Sequence, residues 1–369
     1  MYTGHYNKDE DDKESITPLP KGIYIFEGLN GVGKTTLINK IASNPDNIHN
    51  VDIIKFPTND VTAEMNSLVK MAREIEECTI PILLQHLKEA VTNVDGEVVD
   101  KLVKSRPQAI MYVILPTIAN NIQHLIEIYD VMVRVNLADQ DKHLCNIISD
   151  YKNDQSVLPA YLLDRSYINT FIYNYSKFHF YSSYYNYLHD IITGVIDCDV
   201  ESDALSEACE KFLFLFRKDL NTTFSEFYSN IYEVKSAFSI FTVQLEEYSS
   251  LRQMFGYKNS INLNIIMLDS NNPYMEETIK NSSKTKNERI AYKIIQDSEE
   301  SHSNMYKNLY YNLLYILETD YKINYRINAI RVPMWTTDNH DFQRIPLSIV
   351  INDMVSLINS RNGGNKNET

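Results

Sequence analysis

The stretch GLNGVGKTT, Gly28 to Thr36, gathers the residue types that capture phosphate. Gly28, Gly33, Lys34 and Thr35 meet the pattern G-x-x-x-x-G-K-[ST], with Asn30, Gly31 and Val32 inside the loop and Thr36 just after it. Glycines let the backbone turn its N–H groups inward onto an anion. A lysine ammonium at that place meets the β- and γ-phosphates, and the threonine hydroxyl ligates Mg2+. The pattern points to a nucleoside triphosphate and its magnesium; the competing reading is a glycine-rich turn with no ligand.

A second pair, Asp164 and Arg165, closes the apolar run YLLDRS. A carboxylate at the C-terminal edge of a parallel sheet faces the crevice where ligands bind, and it can hold Mg2+ through water. An Asp-Arg pair alone is more often a surface ion pair, so its weight comes from the phosphate loop.

These side chains need a scaffold, and the apolar runs supply one. GIYIFEG before the loop reads as a buried strand, and KTTLINKIASN after it has helical spacing at Leu37, Ile38 and Ile41. Further short apolar runs, VDIIKFP, AYLLDRS, NLNIIMLDS and INAIRVPMW, are separated by long helix-like stretches. Strands alternating with helices imply an α/β fold with right-handed crossovers and a central parallel sheet of about five strands. Two intervals, about 60–134 and 182–260, exceed ordinary connection lengths and should hold helical insertions of their own, the second rich in Tyr and Phe. Residues 1–20 read as an acidic tail, 21–359 as the folded domain and 360–369 as a second tail. ANNIQHLIEI and ADQDKHLCNI share the spacing A-x-x-x-x-H-L-x-x-I, a duplicated helix or a coincidence.

Composition narrows the function classes. No window approaches twenty unbroken apolar residues and the N-terminus is polar and acidic, so neither a membrane span nor a secretory signal is expected. Cys78, Cys145, Cys198 and Cys209 are scattered without a C-x-x-C pair, which suits reduced thiols in the cytoplasm or nucleus better than a metal site or disulfide framework. A formal net charge of −14 argues against a broad grip on nucleic acid, so a polyanionic ligand must be held by a local cluster of cations. The expected partner is a small nucleotide; a homodimer stays open.

The loop FEGLNGVGKTT together with LLDRSYINTFIY resembles thymidylate kinase, whose phosphate loop reads FEGLDGxGKTT and whose later strand ends in DRYxxSxxAY. KFP, Lys55 to Pro57, resembles the Arg-Phe-Pro after the second strand, and NLADQDKHL, 136–144, resembles the helix pattern FAADRxxHL. The resemblance covers about half the chain and implies a P-loop kinase fold, divergent and enlarged, of viral type, working in the cytoplasm or in a host's cytoplasm or nucleus. It implies ATP and Mg2+ as cofactors and dTMP as the foremost acceptor. Lys34 and Thr35 would hold the donor phosphates and metal, and Asp164 would position the metal. Lys55, Phe56, Arg165 and Asn169 would hold the acceptor, and Gln140 would read its base. Gly31 stands where some members carry a catalytic arginine, so the finger should come from a lid at Lys284, Lys286 or Arg289. There are departures: Asn30 replaces the usual acid, Ser166 the tyrosine after Asp-Arg, Gln140 an arginine, and Asn136 the aromatic ring that stacks on the base, unless Asn121 is the true equivalent.

Two further readings stay open at this point. A kinase acting on a nucleoside must deprotonate a hydroxyl, whereas a monophosphate is already a nucleophile and needs cations to hold it. Related deoxynucleoside kinases carry a Glu before the proline where this chain has Lys55-Phe56-Pro57; Asp60 is the nearest acid that could serve as a base. The other reading is a lapsed kinase kept as a nucleotide-binding scaffold. A GTPase-type switch is disfavoured, since the chain has no N-K-x-D motif.

Overall fold

The computed structural model describes residues 15–29, 32–47, 51–92, 113–153, 160–197, 220–255, 263–269, 305–321, 327–338 and 341–364 of the 369-residue chain. Two compact units are present, Met1–Thr58 with Leu137–Asn169 and Thr242–Thr369, and Asn59–Asn136 with Thr170–Phe241.

The first unit is built on a five-stranded sheet of β1 (Ile23–Glu27), β2 (Val51–Lys55), β3 (Ala160–Asp164), β4 (Leu263–Asp269) and β5 (Ile327–Pro333). Every pairing is parallel and the order is β2-β3-β1-β4-β5. Every residue of β1, β3 and β4 is buried, which is why these runs are almost wholly apolar: a parallel strand covered on both faces has no solvent side to mark with polar residues. β2 lies at the edge and accordingly carries exposed Asp52, Ile53 and Lys55.

The order makes β1 a switch point. Only the β1-to-β2 connection runs toward the β2 edge; the later ones step the other way, and right-handed crossovers then send the two sets to opposite faces. A crevice opens beyond the C-terminal ends of strands where connections diverge. The helix after β1, α1 (Lys34–Ala42), and the last helix (Leu347–Gly364) cover one face. Leu37, Ile38 and Ile41 of α1 join Val350, Ile351, Met354 and Ile358 over Tyr24, Phe26, Leu162, Ile266 and Leu268. Tyr24 and Phe26 lie on this face; by strand alternation Glu27 turns to the other.

The final helix runs to Gly364, through part of the stretch 360–369 expected as a tail. A further hairpin, β6 (Trp335–Asp338) and β7 (Asp341–Arg344), was not expected from the sequence; its four-residue strands are too short to show a periodic pattern.

The second unit is helical in its described residues. α2 (Asn59–Glu74), a π turn (Ile75–Thr79) and α3 (Ile80–Thr92) precede α4 (Leu115–Asn153), which continues into the first unit. Both A-x-x-x-x-H-L-x-x-I segments lie on α4, so they are not two copies of a helix. Tyr167–Thr170, Phe171–Tyr175 and Ser176–Asp197 follow without a break, then Leu220–Phe227 and Ile231–Leu245. Phe180 meets Phe224 edge-on at 5.3 Å and Phe171 meets Phe238 at 4.9 Å, so Phe224 and Phe238 of the Tyr- and Phe-rich interval form core, while Tyr232 is exposed. Buried Lys177 donates to Glu76 Oε1 at 3.1 Å, and the Tyr181 hydroxyl donates to the same oxygen at 2.6 Å. Among the described residues no helix is long and apolar enough to cross a membrane.

Candidate active site

The phosphate loop leaves β1 at Gly28. A Cβ there would lie 2.9 Å from Val32 Cγ1 and 3.1 Å from the Leu268 carbonyl oxygen, so only glycine lets the loop pass this close to β4. The same carbonyl is fixed from the other side by the Tyr310 hydroxyl, which donates to it at 2.9 Å. Gly33 caps α1 with φ 103°, a left-handed conformation that glycine adopts without strain, and its carbonyl accepts from Leu37 N at 3.0 Å. Val32 is buried against the sheet. Asn30 and Gly31 lie outside the described residues.

Lys34 opens α1 and is buried. Its Nζ donates to the carbonyls of Gly28 at 2.6 Å and Leu29 at 3.1 Å, so two of its three N–H bonds hold the loop and, among the described residues, one is left for an anion. Burial, reinforced by the nearby Arg165 charge, lowers its pKa from 10.5 to about 8. Thr35 and Thr36 are exposed at the helix start. The Thr35 hydroxyl donates to Asp164 Oδ2 at 3.0 Å, linking α1 to the end of β3. Asp164 Oδ1 is buried with no hydrogen-bond partner among the described residues.

That orphaned oxygen beside a threonine hydroxyl suits Mg2+, which takes one or two protein oxygens and completes its octahedron with water and substrate phosphate. Thr35 and Asp164 fit that role. No larger cluster of metal-ligating side chains occurs among the described residues.

One residue that sequence reasoning passed over belongs to this site. Glu27, the last residue of β1, is 0% exposed. Its Oε1 accepts from the Ser166 hydroxyl at 2.6 Å, and its Oε2 has no partner among the described residues. Burial raises its pKa from 4.5 to about 7, against the opposing pull of the Ser166 hydrogen bond and of Lys34 and Arg165. The available signal was the one used for Asp164, a carboxylate ending an apolar strand, but in FEG the glycine drew attention away from it. Arg165 has φ 79°, a left-handed backbone rare for a non-glycine residue and concentrated at functional sites.

Of the residues expected to hold an acceptor, Lys55 is exposed at the end of β2 and Phe56 is buried. Phe56 N donates to the Asp164 carbonyl at 3.1 Å, tying this segment to the end of β3. Asp139 takes both the amide and the hydroxyl of Thr58, at 2.8 and 2.6 Å, and His143 lies 3.7 Å from it and edge-on to Phe56. The acid of the ADQDKHL pattern is therefore what anchors the chain after Phe-Pro, a contact across 81 positions that no local pattern shows. Gln140, next to it, is 2% exposed, and Asn169 has a buried amide nitrogen without a hydrogen-bond partner among the described residues.

The other expected residues lie in the second unit or outside the described residues. Asn136 and Asn121 belong to the second unit, where Asn136 donates to Asn174 at 3.2 Å and Asn121 donates to the Thr117 carbonyl at 2.8 Å. Asp60 sits in the first turn of α2, also in that unit. Lys284, Lys286 and Arg289 lie outside the described residues. At the end of β4, Arg331 Nε donates to Asp269 Oδ2 at 2.7 Å, a pair the sequence did not suggest.

Glu27 sets a testable pH dependence of stability. Its folded pKa of about 7 exceeds the unfolded 4.5, so between these values the folded state binds more protons and stability falls as pH rises. The loss is on the order of 3 kcal/mol across that window. Glu27→Gln should remove this slope, measured by denaturant unfolding at about pH 5 and about pH 8. Equal slopes in the two proteins would show that the carboxyl titrates normally.

No protein-family model matches the chain, and no curated protein matches it.

Proposed function

We propose that this protein is a P-loop kinase that transfers the γ-phosphoryl group of ATP to a deoxynucleoside monophosphate, with dTMP the foremost acceptor. The observation that carries the reading is the Thr35–Asp164 contact at 3.0 Å, with a buried, unpartnered Asp164 oxygen and the Lys34 ammonium at the same loop. A triphosphate laid along the loop meets backbone N–H groups, the α1 N-terminus and Lys34 together. Bound Mg2+ would supply further neutralisation of the β- and γ-phosphates. A five-stranded parallel sheet with the loop at its switch point supports the kinase fold.

The chain's own residues account for the rest. Lys34 neutralises charge on the β- and γ-oxygens as the phosphoryl group leaves. Arg165, beside Asp164, holds the acceptor phosphate together with Lys55, and Gln140 and Asn169 donate to acceptor atoms of the base. A monophosphate oxygen attacks without a general base, which agrees with a cation rather than a carboxylate at Lys55.

The test is an ATP-consumption screen across all deoxynucleosides and their monophosphates. Preference for dTMP supports the proposal. Preference for thymidine, lost on Asp60→Asn, moves the assignment to a nucleoside kinase, and ATP binding without transfer to any acceptor moves it to a scaffold. Lys55→Ala should weaken use of the monophosphate by about ten- to hundredfold, the worth of one charge-assisted contact, and leave thymidine use unchanged. A uniform effect on both substrates would place Lys55 away from the phosphate.

A further inference from the structure

We propose that Glu27 and Ser166 form a positioning pair that fixes Arg165 in its left-handed conformation and so aims its guanidinium at the acceptor phosphate. The proposal rests on the kinase reading for its consequence, but its geometry stands apart from it. Arg165 has φ 79°, which an L side chain adopts only where its surroundings impose it. The constraint comes from both sides, and both lead to the end of β1. Before the side chain, Arg165 N donates to the Phe26 carbonyl at 3.4 Å. After it, the Ser166 hydroxyl donates to Glu27 Oε1 at 2.6 Å and itself accepts from Ile168 N at 3.2 Å. The twisted residue is thus held between two ties to Phe26 and Glu27, neighbours in one buried strand.

Glu27 itself is placed to act through Arg165 rather than on a substrate. It is 0% exposed, and the cationic groups whose fields reach it are Lys34 and Arg165, with Asp164 opposing them. A carboxyl here counterbalances buried Lys34 and half-buried Arg165 and presents a rigid acceptor to Ser166. This gives a reason for serine at a position where the resembling family has tyrosine: a short hydroxyl reaches Glu27 while still accepting from Ile168 N.

A staple between β1 and β3 with no bearing on Arg165 would alter stability alone, so the experiment reads Arg165 directly. The full-length protein without nucleotide is treated with phenylglyoxal, and modification of Arg165 is followed by peptide mass spectrometry. Ser166→Ala should react about fivefold faster or more, while Ser166→Thr and Glu27→Gln, which keep the donor and the acceptor oxygen respectively, should react near the wild-type rate. Ser166→Cys, which keeps the volume with a weak donor, should be intermediate, and it takes the place of Ser166→Ala if that variant does not fold.

A second arm measures turnover. Ser166→Ala should raise KM for dTMP about tenfold with kcat and the ATP KM nearly unchanged, and Ser166→Thr should restore it. Equal Arg165 reactivity in wild type and Ser166→Ala overturns the proposal, as does a loss in KM that Ser166→Thr fails to restore. If the wild type transfers phosphate to no nucleotide, the kinase reading fails, and the reactivity arm alone decides the positioning pair.

Discussion

On the proposed kinase reading, Lys34→Ala should abolish phosphoryl transfer, lowering kcat on the order of 10³-fold or more, while the protein stays folded. The magnitude follows from where the ammonium sits. It is buried at the start of α1, fixed by the Gly28 and Leu29 carbonyls at 2.6 and 3.1 Å, so its charge meets the phosphates with little reorganisation and little screening by water. Alanine removes that charge and leaves two carbonyls of the loop without a donor, which costs some stability; it also ends the burial of a cation beside Arg165, which returns some. The thermal midpoint should therefore move far less than activity does. Lys34→Met, which keeps the side-chain volume, should be as inactive as alanine and separates charge from packing. Turnover with dTMP and ATP-analogue binding, measured alongside an unfolding curve, give the answer. Activity near wild type in a folded Lys34→Met protein would remove the phosphate-cradle reading.

The same burial gives a direction with pH. Lys34 has a folded pKa lowered to about 8, so the free protein carries its charge at neutral pH and loses it as pH rises through that value. ATP affinity should fall over the same range. For stability the sign is opposite: between about 8 and 10.5 the unfolded chain binds the extra proton, so this group makes the folded state more stable as pH rises. Glu27 has the reverse effect, destabilising the fold as pH rises toward about 7. A site that concentrates like and unlike charges out of water is one that a bound polyanion and its cation would stabilise.

The strands were legible because burial on both faces leaves only apolar choices: IYIFE, AYLLD and LNIIMLD are strands in the places their composition suggests. The glycine-rich loop was legible because its parts are contiguous, and Gly28 and Gly33 are glycine for reasons that geometry supplies, a close approach to Leu268 and a left-handed cap. What stayed hidden depends on contacts between distant positions. Glu27 reads locally as the polar end of a strand, and only the pairing of β1 with β3 brings Ser166 to it, 139 positions away. Asp139 reads as one more acid on a charged helix until Thr58 is placed beside it. The described parts of the Tyr- and Phe-rich interval are helical as their pattern suggests, with 198–219 outside the described residues, but which rings meet which is decided by packing between helices and by no periodicity within one.

The metal role proposed for Asp164 predicts a crossing that a purely structural carboxylate would not give. Asp164→Asn keeps the volume and an oxygen able to accept from the Thr35 hydroxyl, so the 3.0 Å link between α1 and β3 can persist. It removes the negative charge and, with it, much of the attraction for a cation at the unpartnered oxygen. With Mg2+ present, kcat should fall by roughly 100-fold, and the Mg2+ concentration for half-maximal activity should rise by about ten- to hundredfold. Without metal the order should reverse. A bare triphosphate approaching wild type meets the Asp164 carboxylate as a like charge within the crevice, so Asp164→Asn should bind ATP in chelator as tightly as wild type or more tightly. A carboxylate that only fastened Thr35 would leave the metal requirement where it is in wild type. Titrating an ATP analogue into each protein with Mg2+ and then with EDTA separates the two, and parallel curves in the two conditions would remove Asp164 from the metal site.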